Sequence, residues 1–334
     1  MPRKPTRGMA SLAGRDLLLA GLPLPTQVMT NGEFDPPPQT REQRRVRSLL
    51  EELGDRLASR RGMNRRSFFR TASGLAAGFL AMNAVYGPLF AVSEAEAADA
   101  EAATERLASF ADQFILDDQL HFVHPGYTRT GVLDIRRWSG RVNNPDIYRG
   151  PAGERITHAD IQFLNFVSEV YLQSQTTVGL LSGAPADAPE DWFLPNWMKR
   201  QAKDAVNGLA GTTRMLFQAV FAPGQPGWLE AMERAIEELR PDSWKGYTVG
   251  DPQAFSRYPY RLDDEKLVYP AYEKMLKSGI RTVCIHKGLL PEDYLKSYEN
   301  WRYATVEDLP KAARDWPQLT FVIYHAACRV GWPH

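Results

Sequence analysis

Phe321-Val322-Ile323-Tyr324-His325 is the stretch on which the fold turns. Four apolar or aromatic residues follow one another without a polar break, so a strand built from them has no face for water. That pattern belongs to a parallel sheet covered on both sides rather than to a half-exposed antiparallel one. A histidine stands at its C-terminal end. Working back along the chain, Val283-Cys284-Ile285-His286 repeats the arrangement. Short apolar or β-branched runs predict strands at 114–120, 176–181, 214–221, 244–249, 282–286 and 321–325. Helical patterns lie between them at about 158–174, 196–208, 227–239, 267–278 and 307–314, with Pro226 opening one and Gly279 closing another. From the second strand onward the starts fall 30 to 39 residues apart, the rhythm of βαβ units.

Six such units predict an α/β fold, an incomplete (β/α)8 TIM barrel with six of its eight units. A full barrel takes about 250 residues, and residues 98–334 spend much of their length in an excursion at 125–175. The expectation is a barrel truncated at its C-terminal end and inactive as it stands. An open doubly wound sheet fits less well, because no Gly-rich phosphate loop follows the first strand.

Composition narrows the function classes. With 43% hydrophobic and 24% charged residues in 334, the chain is neither a disordered tail nor a polytopic membrane protein. Its 40 basic and 40 acidic side chains cancel, which argues against a nucleic-acid partner. The cancellation hides a split: residues 1–70 carry 14 Lys/Arg against 7 Asp/Glu, and residues 71–334 carry 26 against 33. A basic front on an acidic body is the pattern of an address label attached to a domain. Two cysteines, Cys284 and Cys328, provide no disulfide framework.

Within that front, Asn64-Arg65-Arg66-Ser67-Phe68-Phe69-Arg70 precedes a small-residue apolar stretch at 72–92 and the small-x-small triplet Ala95-Glu96-Ala97. It resembles a twin-arginine export signal, with Arg65, Arg66, Phe68 and Phe69 as its marker residues. The resemblance implies the twin-arginine translocation machinery as a partner and a periplasmic or exported mature chain from about Ala98, membrane-anchored if the signal stays uncleaved. The expected organisation is a basic extension at 1–62, Pro-rich and partly helical, a signal segment at 63–97 and a barrel at 98–334.

Six histidines occur: His121, His124, His158, His286, His325 and His334. His121, His286 and His325 each end a predicted strand. In a parallel barrel those ends converge on one rim, where substrates bind. Neutral imidazoles meeting there can hold Zn2+ and an activated water. His124 can join His121 only if the chain turns at Val123, since residues three apart on a strand point to opposite faces. His158 follows Thr157, a plausible N-cap.

The motifs Asp117-Asp118-Gln119-Leu120-His121, Val283-Cys284-Ile285-His286-Lys287-Gly288 and Val322-Ile323-Tyr324-His325-Ala326-Ala327 resemble the amidohydrolase superfamily, in the amidohydrolase-related branch of aminocarboxymuconate-semialdehyde decarboxylase-like enzymes. The resemblance covers about residues 114–334. It implies one divalent metal, most simply Zn2+, with ligands at His121, His286 and Gln119, where the family has a second histidine. It implies a catalytic acid/base at His325. An amide at Gln119 leaves a weakened site, one shifted to His124, or a metal-free one, as in lactonase relatives of this branch. The family's strand-eight aspartate has no counterpart before the chain ends. The implied activity is hydrolysis or decarboxylation of a small carboxylate-bearing substrate; a non-catalytic exported binding protein on a decayed barrel is the alternative. Lys245 is a candidate contact for the substrate carboxylate, and Arg129, Arg136, Arg137, Arg141, Arg149 and Arg155 place further cations in the excursion. Assembly as a homo-oligomer is compatible with this reading.

Overall fold

The computed structural model of the chain describes residues 22–27, 38–134, 156–290 and 292–328. The chain divides between Gln113 and Phe114 into two compact units.

The first unit is helical: α1 (Arg41–Arg60), α2 (Arg65–Phe69), α3 (Ala72–Tyr86), α4 (Glu94–Ala98) and α5 (Ala100–Ala108). Thr40 and Gln43 form a capping box at the start of α1, satisfying donors that a helix end otherwise leaves bare. The apolar stripe of α1, Val46, Leu50 and Leu57, packs with Ala76, Ala77 and Ala81 of α3 in one core. Phe68 and Phe69 lie buried in that core, while Arg65 pairs with Asp55 at 2.9 Å and Arg66 is exposed. The apolar stretch expected at 72–92 is helical only to Tyr86, because Gly87 (φ +88) and Pro88 end it. No helix among the described residues is long and apolar enough to cross a membrane.

The second unit holds β1 (Leu116–Leu120), β2 (Val178–Leu181), β3 (Met215–Val220), β4 (Ser243–Tyr247), β5 (Thr282–His286) and β6 (Thr320–Tyr324). All are parallel, and the sheet order is the sequence order. This is the order of the first six strands of a (β/α)8 barrel, with α6 (Phe163–Val167), α7 (Asn196–Ala210), α8 (Trp228–Arg234), α9 (Tyr269–Ser278), α10 (Glu292–Ser297) and α11 (Leu309–Asp315) in the connections.

Alternation along each strand sorts the side chains. On β4, Trp244 is fully buried with Met232, Ala271, Tyr272 and Val283. Lys245 and Tyr247 point the other way, into the concave interior. Burying an aromatic or branched side chain contributes about 1.5–3 kcal/mol, so the apolar outer set fixes which residues are left for the interior.

The sheet curls strongly. Tyr324 Oη at the end of β6 donates a 2.7 Å hydrogen bond to the Asp118 carbonyl on β1. In a flat sheet, strands five places apart would lie roughly 24 Å from each other at the usual spacing of about 4.8 Å.

Candidate functional site

The curl brings the strand ends into one interior. Register places Val220, Lys245, Cys284 and Val322 side by side across β3 to β6, and Tyr247, His286 and Tyr324 in the next layer. His286 is the last residue of β5; His121 and His325 each follow a strand by one residue. His325 opens a tight turn in which it, Ala326 and Ala327 all take left-handed backbone angles (φ 59, 48 and 52). Such strain in consecutive non-glycine residues recurs at functional sites.

Two loops are pinned together here. Leu289 N–H donates to the Cys328 carbonyl at 2.7 Å. Gly288, at φ +68, lies so close to the second loop that a Cβ would stand 2.3 Å from the Ala327 carbonyl carbon. Only glycine fits that approach. The imidazoles of His286 and His325 lie 4.5 Å apart, centroid to centroid, and Tyr247 stacks on His286 at 4.7 Å and 19°. His286 Nε2 lies 2.8 Å from the Leu289 carbonyl, so that nitrogen carries the proton, and Nδ1 is buried with no hydrogen-bond partner among the described residues. The Gln119 amide nitrogen reaches His325 Nε2 at 3.5 Å, the outer limit of a hydrogen bond.

Lys245 lies at the centre of this group. It is fully buried, with its ammonium nitrogen 3.5 Å from the centre of the Tyr324 ring and 5.1 Å from that of Tyr247, and its Nζ has no hydrogen-bond partner among the described residues. Burial pushes its pKa down to about 7, opposed by Cys284 and Asp118. The histidines respond to the same surroundings. Desolvation, then Lys245, holds His325 at about 4; desolvation, then His325 and Lys245, holds His286 well below the usual imidazole range. His121, open to solvent on one side, is lowered by the protein around it and by Lys245. All three imidazoles are therefore neutral at pH 7.

The other expected residues lie elsewhere or are already engaged. The chain does turn after Val123, but His124 Nδ1 accepts from Gly126 N–H at 3.1 Å and its ring packs near Tyr127, outside the group just described. His158 Nε2 bonds the Arg129 carbonyl, behind a Thr157–Asp160 cap. Arg129 is held by Asp251 at 2.8 Å. Arg136, Arg137, Arg141, Arg149, Arg155 and His334 lie outside the described residues.

Sequence reasoning missed Lys199. It is fully buried on α7, its Nζ has no hydrogen-bond partner among the described residues, and burial followed by the neighbouring Lys245 charge pushes its amine well below the ordinary lysine range. A Cβ on Gly183, just past β2, would come 3.0 Å from that nitrogen and 3.4 Å from Val220, the register neighbour of Lys245. Lys199 Nζ thus lies near the layer of the interior that holds Lys245. The signal was available: Lys199, Ala202 and Val206 form the buried stripe of α7, and a lysine in an apolar stripe is out of place. A third buried lysine, Lys287, supplies the contrast, since it donates to both Asp308 oxygens and to the Tyr303 carbonyl.

Among the described residues no three His, Cys, Asp or Glu side chains converge on a common point. The group consists of imidazoles and one amide beside an unpartnered lysine, a surrounding that favours an anion over a cation.

No family model matches the sequence, and no curated protein matches it. Among solved structures the chain is similar to a crystal structure of the 5-carboxyvanillate decarboxylase LigW from Sphingomonas paucimobilis. Identity is 14% and the TM-score 0.33, over 63% of this chain and 66% of that one. The likeness is distant. The chain spans just under two thirds of that protein's length, and the site rests on its own geometry.

Proposed function

We propose that the barrel interior is the site of an enzyme, a metal-independent hydrolase or carbon–carbon lyase, acting on a small carboxylate-bearing organic molecule. The observation that carries this reading is Lys245, fully buried with no hydrogen-bond partner for its Nζ among the described residues, and near imidazoles that are held neutral. A buried ammonium is unfavourable until an anion pairs with it. A substrate carboxylate supplies that anion, and the Tyr247 and Tyr324 rings flank it. His286 and His325 are then the proton-moving groups. His325, half-exposed, accepts a proton from water or substrate, and the bare Nδ1 of His286 receives one inside.

Calorimetric titration with propionate and benzoate tests the reading: one carboxylate per chain is expected, and Lys245→Met is expected to abolish it. Binding that survives in the variant would sink the assignment. Dialysis against a chelator is expected to leave that affinity unchanged, with zinc well below stoichiometric by elemental analysis. Stoichiometric retained zinc, with affinity lost on its removal, would restore the metal-dependent mechanism. The segment from Met63 to Ala97 is proposed to act as the export signal, supported by its paired arginines and small-x-small triplet.

A further inference from the structure

We propose that Lys199 is an imine-forming amine, which extends the site's substrates to oxo-carboxylates, with a carbonyl one or two carbons from the carboxylate. The inference rests on the reading that Lys245 receives that carboxylate.

Two amines are buried near one layer, and their surroundings divide the roles between them. Lys245 has the features of the charged partner: the Tyr324 ring at 3.5 Å, the Tyr247 ring at 5.1 Å, and Asp118 and Cys284 acting on it. Lys199 has neither an aromatic face nor an acidic neighbour acting on it, and no acceptor for its hydrogens among the described residues. Its Nζ occupies space kept open by Gly183. The groups acting on it are its own burial and the Lys245 charge, both of which favour the neutral amine. A desolvated lysine beside a second cation is the arrangement that makes an amine nucleophilic near neutral pH. His121 is influenced by both lysines and is open to solvent. Ser182 Oγ is buried with no partner among the described residues.

The step balances without an added oxidant or reductant. The Nζ lone pair forms a bond to the carbonyl carbon while the C=O π pair moves to oxygen, which is protonated. The nitrogen gives up a proton through His121. The carbinolamine then loses its hydroxyl as water, leaving C=N. A 3-oxo acid held in this way can release CO2, with the C–C pair moving into the C=N group. Protonation at carbon and hydrolysis by one water then return the free amine.

The test uses the full chain at pH 6.5, where an ordinary lysine is about one part in ten thousand neutral. Pyruvate and acetoacetate are offered separately with sodium cyanoborohydride, and the adduct is located by peptide mass spectrometry. One adduct on Lys199 is expected, with acetoacetate leaving an isopropyl group if decarboxylation precedes reduction. Lys199→Met is expected to lose the adduct while still binding propionate. Lys245→Met is expected to slow trapping by about ten-fold or more, as one pK unit of restored proton affinity would. No adduct, an adduct on Lys245, or adducts scattered over surface lysines overturns the proposal. Where propionate binds and no adduct forms, the imine step alone fails; where propionate does not bind either, the carboxylate reading fails with it.

Discussion

Lys245 sets the pH behaviour of the site. Its ammonium is held to about pH 7 instead of the usual lysine range, so the cation is fully present only below that value. Carboxylate affinity is expected to be highest at pH 6 and to fall roughly ten-fold per unit above 7, which titration of propionate at pH 6 and 8.5 measures. The stability consequence has the opposite slope. The unfolded lysine keeps its proton to about pH 10.4, so between pH 7 and 10 the unfolded chain binds more protons than the folded one. The penalty for burying Lys245 is therefore full below pH 7 and is relieved as pH rises towards 10. Lys245→Met, similar in volume and without an amine to satisfy, is expected to stabilise the fold by about 1–3 kcal/mol at pH 6 and by less at pH 10, in urea unfolding. The Tyr324 ring offsets part of the penalty through its cation–π contact. Equal effects at both pH values would show that Lys245 is not the titrating group.

Between β5 and β6 the decisive contacts belong to loops. Gly288→Ala adds a Cβ into the backbone of Ala327 and Cys328 at a left-handed φ. It is expected to destabilise by about 2 kcal/mol or more and to weaken propionate binding, because the His286 and His325 rings would part. Asp308, at the start of α11, accepts from Lys287 Nζ and from Leu262 N–H. Asp308→Ala leaves the Lys287 ammonium buried and unpaired, an expected loss of about 3–5 kcal/mol in thermal or urea unfolding. The elements themselves were legible in the sequence. Thr282–His286 is read from the sequence with the bounds that form, and the helices expected at about 196–208 and 267–278 form as Asn196–Ala210 and Tyr269–Ser278. The unbroken apolar run of the strand and the helix-closing Gly279 carried that information. The approach of His286 and His325 followed from strand ends converging. Gly288 and the strained turn at His325 did not, because a contact between two loops leaves no periodic trace. Lys199 left one trace, a charge within an apolar stripe.

At the scale of the molecule, the hydroxyl of Tyr324 ties β6 to β1 across the interior. Tyr324→Phe is expected to remove about 1 kcal/mol and to loosen Gln119 from His325, read as a fall in propionate affinity larger than the change in stability alone would give. In the helical unit, Phe68 and Phe69 are core residues while Arg66 is exposed, and Arg65 reaches Asp55 from the surface. Exchanging Arg65 and Arg66 for lysines together spares that core and is expected to keep the protein in the cytoplasm, which cell fractionation checks; undiminished export would remove the signal assignment. The Tyr324 tie also bears on how the protein is made. It joins residues 206 positions apart in sequence, as does the Gln119–His325 approach. Contacts of such high contact order close late, after the loop-closure entropy of the intervening chain has been met. During synthesis, β1 to β5 emerge with Lys245 unshielded by Tyr324, and the site gains its final form only once the sixth strand has left the ribosome and folded back on the first.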